Sequence, residues 1–150
     1  MRRMGKSTLE FDRPPSILSH AAVGGKKEAE GPLGDQFDQT FGDTTLQADS
    51  WEKAEAQLQK EAVSIALKKA GLGPEGVDFI LAGDLLNQCI SSTFGLMDFQ
   101  VPFLGQYGAC STMAQTLLMA SILVESGAAG KALAVTSSHF CSAERQFRLP

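Results

Sequence analysis

The sequence has few of the side chains that metal centres and disulfide frameworks need. It contains three cysteines and two histidines among 150 residues. Cys89, Cys110 and Cys141 are far apart, and no Cys-x-x-Cys pair occurs. An odd, unpaired set of thiols argues against a disulfide framework, and His20 and His139 do not stand at metal-ligand spacing. We therefore expect a reducing environment, no structural metal and no cofactor.

Positive charge is also scarce. The 13 Lys and Arg residues are outnumbered by 17 Asp and Glu residues, which gives a formal net charge of −4. Nucleic-acid-binding proteins are usually basic, so we expect no nucleic-acid partner. The amino terminus is basic, but no apolar segment follows it, and this pattern does not predict a secretory signal.

A long uncharged run covers residues 99–124. Pro102, Gly105 and Gly108 interrupt it, so it is better interpreted as a strand, a turn and a helix. That helix has only about four turns, which is too short to span a bilayer. The sequence therefore predicts no transmembrane helix.

Short apolar segments alternate with helical patterns along the chain. We predict strands over residues 16–23, 77–82, 101–104 and 131–136, and helices over residues 50–70, 85–94 and 110–125. This alternation implies right-handed crossovers and a mainly parallel sheet in an α/β fold. Residues 1–15 form an N-terminal arm, and residues 24–50 form a long loop of a kind that often lies near a site.

Three polar or reactive side chains follow predicted strands. Asp84 comes after the second strand, Cys110 after the third and Ser137 after the fourth. Because ligand sites in parallel sheets lie at the carboxyl ends of strands, these residues predict one site. Structural roles remain open for each: a loop or helix-cap aspartate, a buried inert thiol and a strand-end serine.

The helix that follows Cys110 has almost no polar face over residues 112–124. A helix that is apolar on every side is usually buried, so we expect a second domain or subunit on the face that the sheet does not cover. The first backbone N–H groups of such a helix and its dipole favour an anion. That anion is either a thiolate of Cys110 or a ligand carboxylate.

Residues 108–111 (GACS) resemble the nucleophile motif of thiolases and ketoacyl synthases, in which it opens a central buried helix. Nearly the whole chain resembles the first half of a family of sporulation proteins with the same fold. The shared segments are 11–15 (FDRPP), 31–34 (GPLG), 41–42 (FG), 51–55 (WEKAE), 82–88 (AGDLLNQ), 105–112 (GQYGACST) and 137–140 (SSHF). The long segments are specific, whereas GACS alone is weak.

The resemblance implies a thiolase-like α/β fold, with a mainly parallel sheet and a buried central helix. Residues 1–150 would form the amino-terminal half-domain, one half of an αβαβα sandwich. The carboxyl-terminal half is then absent from this chain.

The resemblance also implies a function. Members of the sporulation family bind dipicolinic acid (pyridine-2,6-dicarboxylate) without catalysis and act in its uptake into the developing spore. The implied partners are dipicolinic acid, with or without calcium, the spore inner-membrane channel proteins of the same operon, and a second copy in a homodimer. The protein would be peripheral, on the cytoplasmic side of the spore inner membrane. Asp84, Cys110 and Ser137 would then be ligand-binding residues, with no metal site.

Two other functions stay open. An acyl-transferring enzyme of the thiolase or ketoacyl synthase type would use Cys110 as its nucleophile. The catalytic His of those enzymes belongs to the second half of the fold, and His139 matches no catalytic motif. The other alternative is a truncated chain with no function of its own.

Overall fold

A computed structural model describes residues 1–148. Its centre is a parallel sheet of three strands in the order β6-β5-β7. The strands of this sheet are β5 (Phe79–Gly83), β6 (Phe103–Gly105) and β7 (Ala132–Thr136). The middle strand pairs in parallel with both neighbours, so the carboxyl ends of all three lie at one edge, as predicted.

The remaining elements surround this sheet. The helices are α1 (Lys26–Ala29), α2 (Trp51–Ala70), α3 (Ile90–Gly95), α4 (Thr112–Glu125) and α5 (Phe140–Arg148). The other strands are β1 (Arg2–Met4), β2 (Thr8–Glu10), β3 (Val23–Gly24) and β4 (Gln39–Thr40). The predicted alternation of β5, α3, β6, α4 and β7 is present.

Helix α2 begins and ends where the sequence predicts. Ser50 has an extended backbone, and its side chain accepts a hydrogen bond from the Lys53 backbone N–H, which satisfies one of the free donors at a helix start. Gly71 ends the helix with a left-handed backbone, φ 66°, a conformation that suits glycine. Val63 and Leu67 lie on the buried face of α2 and belong to the main apolar core.

That core lies between α2 and one face of the sheet. It includes Ile80 and Ala82 of β5 and Val135 of β7, and α3 also packs against α2. Helix α4 packs on β5 and β7. Successive residues of a strand face opposite sides of the sheet. Gly83 follows the core residue Ala82 and lies close to the Thr112 side chain, so it faces α4. The helices therefore cover both faces of the sheet.

Within residues 1–148, helix α4 is covered on one side only, as expected for a helix whose other side awaits a second domain or subunit. Thr112, Thr116 and Ala120 are buried, whereas Met113 is 62% and Leu118 is 49% exposed. The reason is geometric, because the sheet can cover only one side of a helix. Within residues 1–148, the apolar side chains on the other side of α4 stay open to solvent. No helix of residues 1–148 is long and apolar enough to cross a membrane.

The predicted first strand is largely wrong. Only Val23 and Gly24 form a strand, which pairs in parallel with β4 and not with the central sheet. Residues 16–22 have no regular structure. Two contacts hold this segment on other parts of the chain. The Ser19 hydroxyl donates to the Ala66 carbonyl at 2.7 Å, and Asp38 accepts from the Ala22 N–H at 3.0 Å.

Other elements also depart from the prediction. Helix α3 begins at Ile90 rather than near residue 85, because Gln88 and Cys89 have left-handed backbones with φ 57° and 50°. The N-terminal arm contains the antiparallel hairpin of β1 and β2. The long loop contains α1 and β4, and α5 was not predicted at all.

Candidate functional site

The three residues predicted to form a site follow the carboxyl ends of the central strands. Asp84 follows β5, Ser137 follows β7, and Cys110 lies in a short 3-10 turn, Ala109–Ser111, between β6 and α4. The Ser137 backbone N–H donates to the Gly83 carbonyl at 3.2 Å. The sheet therefore brings the backbones next to Asp84 and Ser137 together.

Asp84 is buried and faces the protein interior. Its Oδ1 accepts from the Leu86 N–H at 2.8 Å, and its Oδ2 accepts from the Ser92 N–H at 2.7 Å and the Ser92 hydroxyl at 2.6 Å. Both carboxylate oxygens therefore accept hydrogen bonds from the segment that connects β5 to α3. This is the structural role that the sequence left open for Asp84.

Ser137 is connected to Asp84 through two other side chains. Gln59 Nε2 donates to Ser137 Oγ at 3.0 Å and to Ser92 Oγ at 2.9 Å. The Ser137 hydroxyl in turn donates to Glu55 Oε1 at 2.9 Å. We call this set the edge network: Asp84, Ser92, Gln59, Ser137, Glu55 and Ser142.

Glu55 is fully buried at the end of the edge network. Its Oε2 accepts from the Ser142 hydroxyl at 2.5 Å, so the carboxyl group binds both the end of β7 and helix α5. Burial raises the pKa of Glu55, and the hydrogen bonds from Ser142 and Ser137 partly oppose that shift. The two hydroxyl donors stabilise the ionised form of this buried carboxyl group relative to an unpaired one.

The sequence interpretation missed Glu55 and Gln59. Both lie on the buried face of α2, at the same four-residue spacing that continues through Val63 and Leu67. Extending that spacing back from the core residues predicts that positions 55 and 59 are buried. That signal was present in the sequence.

Gln59 has one polar atom without a partner. Its Oε1 is buried and receives no hydrogen bond from residues 1–148. Its Nε2 has three acceptors within range, the third being the Gly83 carbonyl at 3.3 Å. An unsatisfied buried acceptor costs about 1–3 kcal/mol, and such exceptions need a specific explanation.

A cleft of about 210 Å³ lies beside Ser137. Its polar wall consists of Gln59, Thr136, Ser137 and Ser138, and its apolar wall comes from α2 and residues 21–23. Neither Asp84 nor Cys110 lines this cleft. The edge network therefore reaches the cleft at Gln59 and Ser137.

Cys110 is exposed and lies apart from the edge network. Its thiol makes no hydrogen bond with any described residue, whereas His139 Nε2 is 2.7 Å from the Thr44 carbonyl oxygen. No thiol–imidazole pair therefore forms within residues 1–148. Gly83, next to Asp84, lies close to Thr112, which places the start of α4 near the same edge of the sheet.

The backbone before Cys110 is tightly constrained. Ala109 has φ 47°, a left-handed conformation that non-glycine residues rarely adopt and that often occurs at functional sites. A side chain at Gly108 would lie 2.7 Å from Ser111 Oγ and 3.2 Å from the Thr112 nitrogen. The close turn therefore favours glycine at this position of the GACS segment, because a Cβ would have to displace neighbouring side chains.

The amino end of α4 has no side-chain cap. Ser111 occupies the cap position, but its hydroxyl donates back to the Gly108 carbonyl at 2.8 Å. The Thr112 N–H donates to the Ala109 carbonyl of the preceding turn. Within residues 1–148 the N–H groups that follow it in the first turn of α4 have no side-chain acceptor, which is an arrangement that suits an anion. In the part of the chain that is described, no group of three His, Cys, Asp or Glu side chains is arranged to hold a metal ion.

Comparisons with known proteins add the family and the fold. A family model described as "Stage V sporulation protein AD (SpoVAD)" matches residues 5–150. A curated relative of that name from Bacillus subtilis (strain 168) is 45% identical over 150 residues, covering all of this chain and 44% of the relative. The chain thus spans less than half the length of that relative.

One solved structure has a similar fold. The crystal structure of 3-oxoacyl-[acyl-carrier-protein] synthase III from Aquifex aeolicus VF5 matches with a TM-score of 0.54 and 23% identity, over 59% of this chain and 31% of that chain. At this identity the similarity concerns the fold alone. It confirms the predicted thiolase-like α/β fold with a mainly parallel sheet.

Proposed function

This chain belongs to the stage V sporulation protein AD family, and from that premise we propose that it binds dipicolinic acid without catalysing a reaction. In this proposal the bound ligand is taken up into the developing spore. The ligand is a flat dianion with an aromatic ring, so its site needs N–H or O–H donors for two carboxylates and apolar contacts for the ring.

The amino end of α4 is the observation that carries the proposal. Its backbone N–H groups lack a side-chain cap, it is exposed at Cys110, and it lies near the carboxyl edge of the sheet. The positive end of the helix dipole favours a ligand carboxylate there. We assign to Cys110 a position beside that carboxylate rather than a chemical role.

Ser137 and Asp84 have different roles in this proposal. Ser137 lines the cleft, which Cys110 does not line, so in this proposal the ligand reaches from the amino end of α4 across the carboxyl edge of the sheet to contact Ser137. Asp84 acts indirectly, because both its oxygens already accept hydrogen bonds from Leu86 and Ser92. Calcium that accompanies the ligand would therefore be held by the ligand carboxylates rather than by Asp84.

The proposed partners follow from the family and from one surface. We propose that the protein works at the cytoplasmic side of the spore inner membrane with channel proteins of the same operon, and that it forms a homodimer. The exposed apolar side chains of α4, among them Met113 and Leu118, give this segment a surface suited to protein contacts.

Calorimetric titration of the intact protein with dipicolinate, with and without calcium, tests the proposal. We expect binding that Cys110→Asp weakens at least about tenfold, because the new carboxylate occupies the anion-binding end of α4. Cys141→Asp is the matched control, since it adds the same charge in α5. An intact protein that does not bind dipicolinate, or equal losses in both variants, would contradict the proposal.

A second candidate function is acyl transfer. One observation favours it: the thiol of Cys110 is exposed at a helix start. The similarity to a 3-oxoacyl-[acyl-carrier-protein] synthase III concerns the fold alone. Incubation with acyl-coenzyme A followed by mass spectrometry distinguishes the two functions. An acyl adduct on Cys110 that turns over would support the enzyme, whereas an unmodified thiol supports binding without catalysis.

A further inference from the structure

We propose that Glu55 and Gln59 are positioning residues that determine where the hydroxyl hydrogen of Ser137 points. Binding of an anion at Ser137 is then accompanied by uptake of one proton at Glu55. This inference rests on the proposed binding of dipicolinate. It adds residues that do not touch the ligand, and it makes ligand affinity dependent on pH.

The hydroxyl of Ser137 has only one hydrogen, and that hydrogen is already used. It is donated to Glu55 Oε1 at 2.9 Å, while Gln59 Nε2 donates to Ser137 Oγ at 3.0 Å. In this state Ser137 offers a ligand in the cleft only an oxygen lone pair. A carboxylate is itself an acceptor, so the two groups would repel rather than bind.

Turning the Ser137 hydroxyl toward the cleft would leave Glu55 short of a donor. Glu55 is fully buried, and among residues 1–148 only Ser137 donates a hydrogen bond to its Oε1. An ionised, buried carboxylate oxygen without a partner is strongly unfavourable. The hydroxyl is therefore held in place as long as Glu55 is charged.

A proton on Glu55 removes this conflict. The protonated carboxyl group donates its new O–H to Ser137 Oγ, and Gln59 keeps its own donation to the same atom. Ser137 Oγ then accepts two hydrogen bonds and is free to donate its hydrogen to a ligand carboxylate. One proton comes from solvent for each anion bound, and no other bond forms or breaks.

The surroundings of Glu55 favour this protonation. Burial raises the pKa of Glu55, and the negative charge of Asp84 acts in the same direction, whereas the nearby His139 opposes it. On the same helix, Glu52 is paired with Arg145 of α5 at 3.5 Å. The strands β3 and β7 and helix α3 contribute no titratable side chain to this region. Helix α5 carries three more titratable side chains, Cys141, Glu144 and Arg148.

The cleft provides the space that the mechanism needs. Ser137 and Gln59 both line it. A ligand that binds in this cleft would therefore lie beside the Ser137 hydroxyl. Its anionic group would receive the hydrogen bond that Ser137 otherwise donates to Glu55.

Calorimetry of dipicolinate binding to the intact protein, in buffers of different ionisation enthalpy, measures the protons taken up. Above the pKa of Glu55 we expect the wild-type protein to take up about one proton per ligand and to lose about tenfold in affinity per pH unit. Glu55→Gln should bind without proton uptake, because its amide always has a hydrogen to donate to Ser137. Glu52→Gln is the matched control and should keep the wild-type uptake.

Each result has a distinct meaning. A wild-type protein that does not bind dipicolinate overturns the proposed function and this inference together. Binding without proton uptake, or equal uptake in wild type and Glu55→Gln, overturns this inference alone. Ser137→Ala provides a second measurement if Glu55→Gln does not fold. It removes the hydroxyl, so proton uptake must disappear, and persistent uptake would refute the role of Ser137.

Discussion

Replacing Asp84 with alanine should strongly destabilise the turn between β5 and α3. The substitution removes the acceptor of three hydrogen bonds, from the Leu86 N–H at 2.8 Å, the Ser92 N–H at 2.7 Å and the Ser92 hydroxyl at 2.6 Å. Asp84 is only 4% exposed. Water therefore cannot replace the lost carboxylate without opening the turn.

The size of the effect follows from these contacts. A hydrogen bond to a charged group contributes about 1.5–3 kcal/mol, so three at the low end come to roughly 4.5 kcal/mol. The Ser92 hydroxyl can rotate to another acceptor, but the two backbone N–H groups of Leu86 and Ser92 cannot. We therefore expect Asp84→Ala to lower the free energy of unfolding by about 3–4 kcal/mol. Asp84→Asn keeps one acceptor oxygen and should lose less.

Urea unfolding of the intact protein, followed by circular dichroism, provides the measurement. Asp98→Ala is the control, because the Asp98 side chain is 65% exposed and its hydrogen bond and ion pair are with Lys60; its effect should stay within about 0.5 kcal/mol. An Asp84→Ala protein as stable as the wild type would refute the structural role. If that variant also lost affinity for dipicolinate, Asp84 would be a direct ligand contact instead.

Four further predictions concern other parts of the molecule. Because burial raises the pKa of Glu55, the folded state binds more protons than the unfolded state between the two pKa values. Stability should therefore fall as pH rises through that interval, and Glu55→Gln should remove this fall in urea unfolding at several pH values. Ser50→Ala should lower stability by about 1 kcal/mol in a thermal melt, because α2 loses its cap. Iodoacetamide should modify Cys110 before the buried Cys89, as judged by mass spectrometry. Leu117→Gln, on the exposed side of α4, should reduce self-association of the 150-residue chain in sedimentation experiments.

Controls and contradicting results differ among these predictions. Glu52→Gln should leave the pH dependence of stability unchanged, and a similar change in both variants would remove Glu55 as its source. Equal rates of alkylation at the two thiols would contradict the burial of Cys89. Leu33→Gln, in an exposed loop, serves as the control for Leu117→Gln, and self-association that responds equally to both would exclude α4 as the contact surface.

Several local features could be predicted because neighbouring residues alone decide them. A serine before a helical pattern and a glycine after it identify the ends of α2, since caps satisfy backbone groups within one turn. The continuous apolar segments of β5 and β7 predict strands, because a strand that is buried on both faces needs apolar residues at successive positions. Parallel pairing then places the ends of these strands at one edge, where Asp84 and Ser137 follow them.

The segment before Val23 shows where local pattern fails. Residues 16–23 have the composition of a strand, yet a strand also needs a neighbour that supplies backbone hydrogen bonds. The structure pairs only Val23 and Gly24, with β4. Asp38 and Ala66 satisfy polar groups in the rest of the segment. The strand that pairs with a segment can be distant in sequence, so the composition of the segment does not identify its partner.

The sequence by itself determined the order of elements from α2 to β7, the ends of α2, the apolar character of α4 and the position of Asp84, Cys110 and Ser137 after the strands. Tertiary structure alone decided that Asp84 turns inward onto Ser92, that Cys110 is exposed and that Glu55 and Gln59 reach Ser137. The physical reason is the sequence separation over which each kind of interaction acts. Caps, periodicity and strand composition act over a few residues, whereas a buried hydrogen-bond network depends on which distant side chains the packing of α2 on the sheet brings within 3 Å of one another.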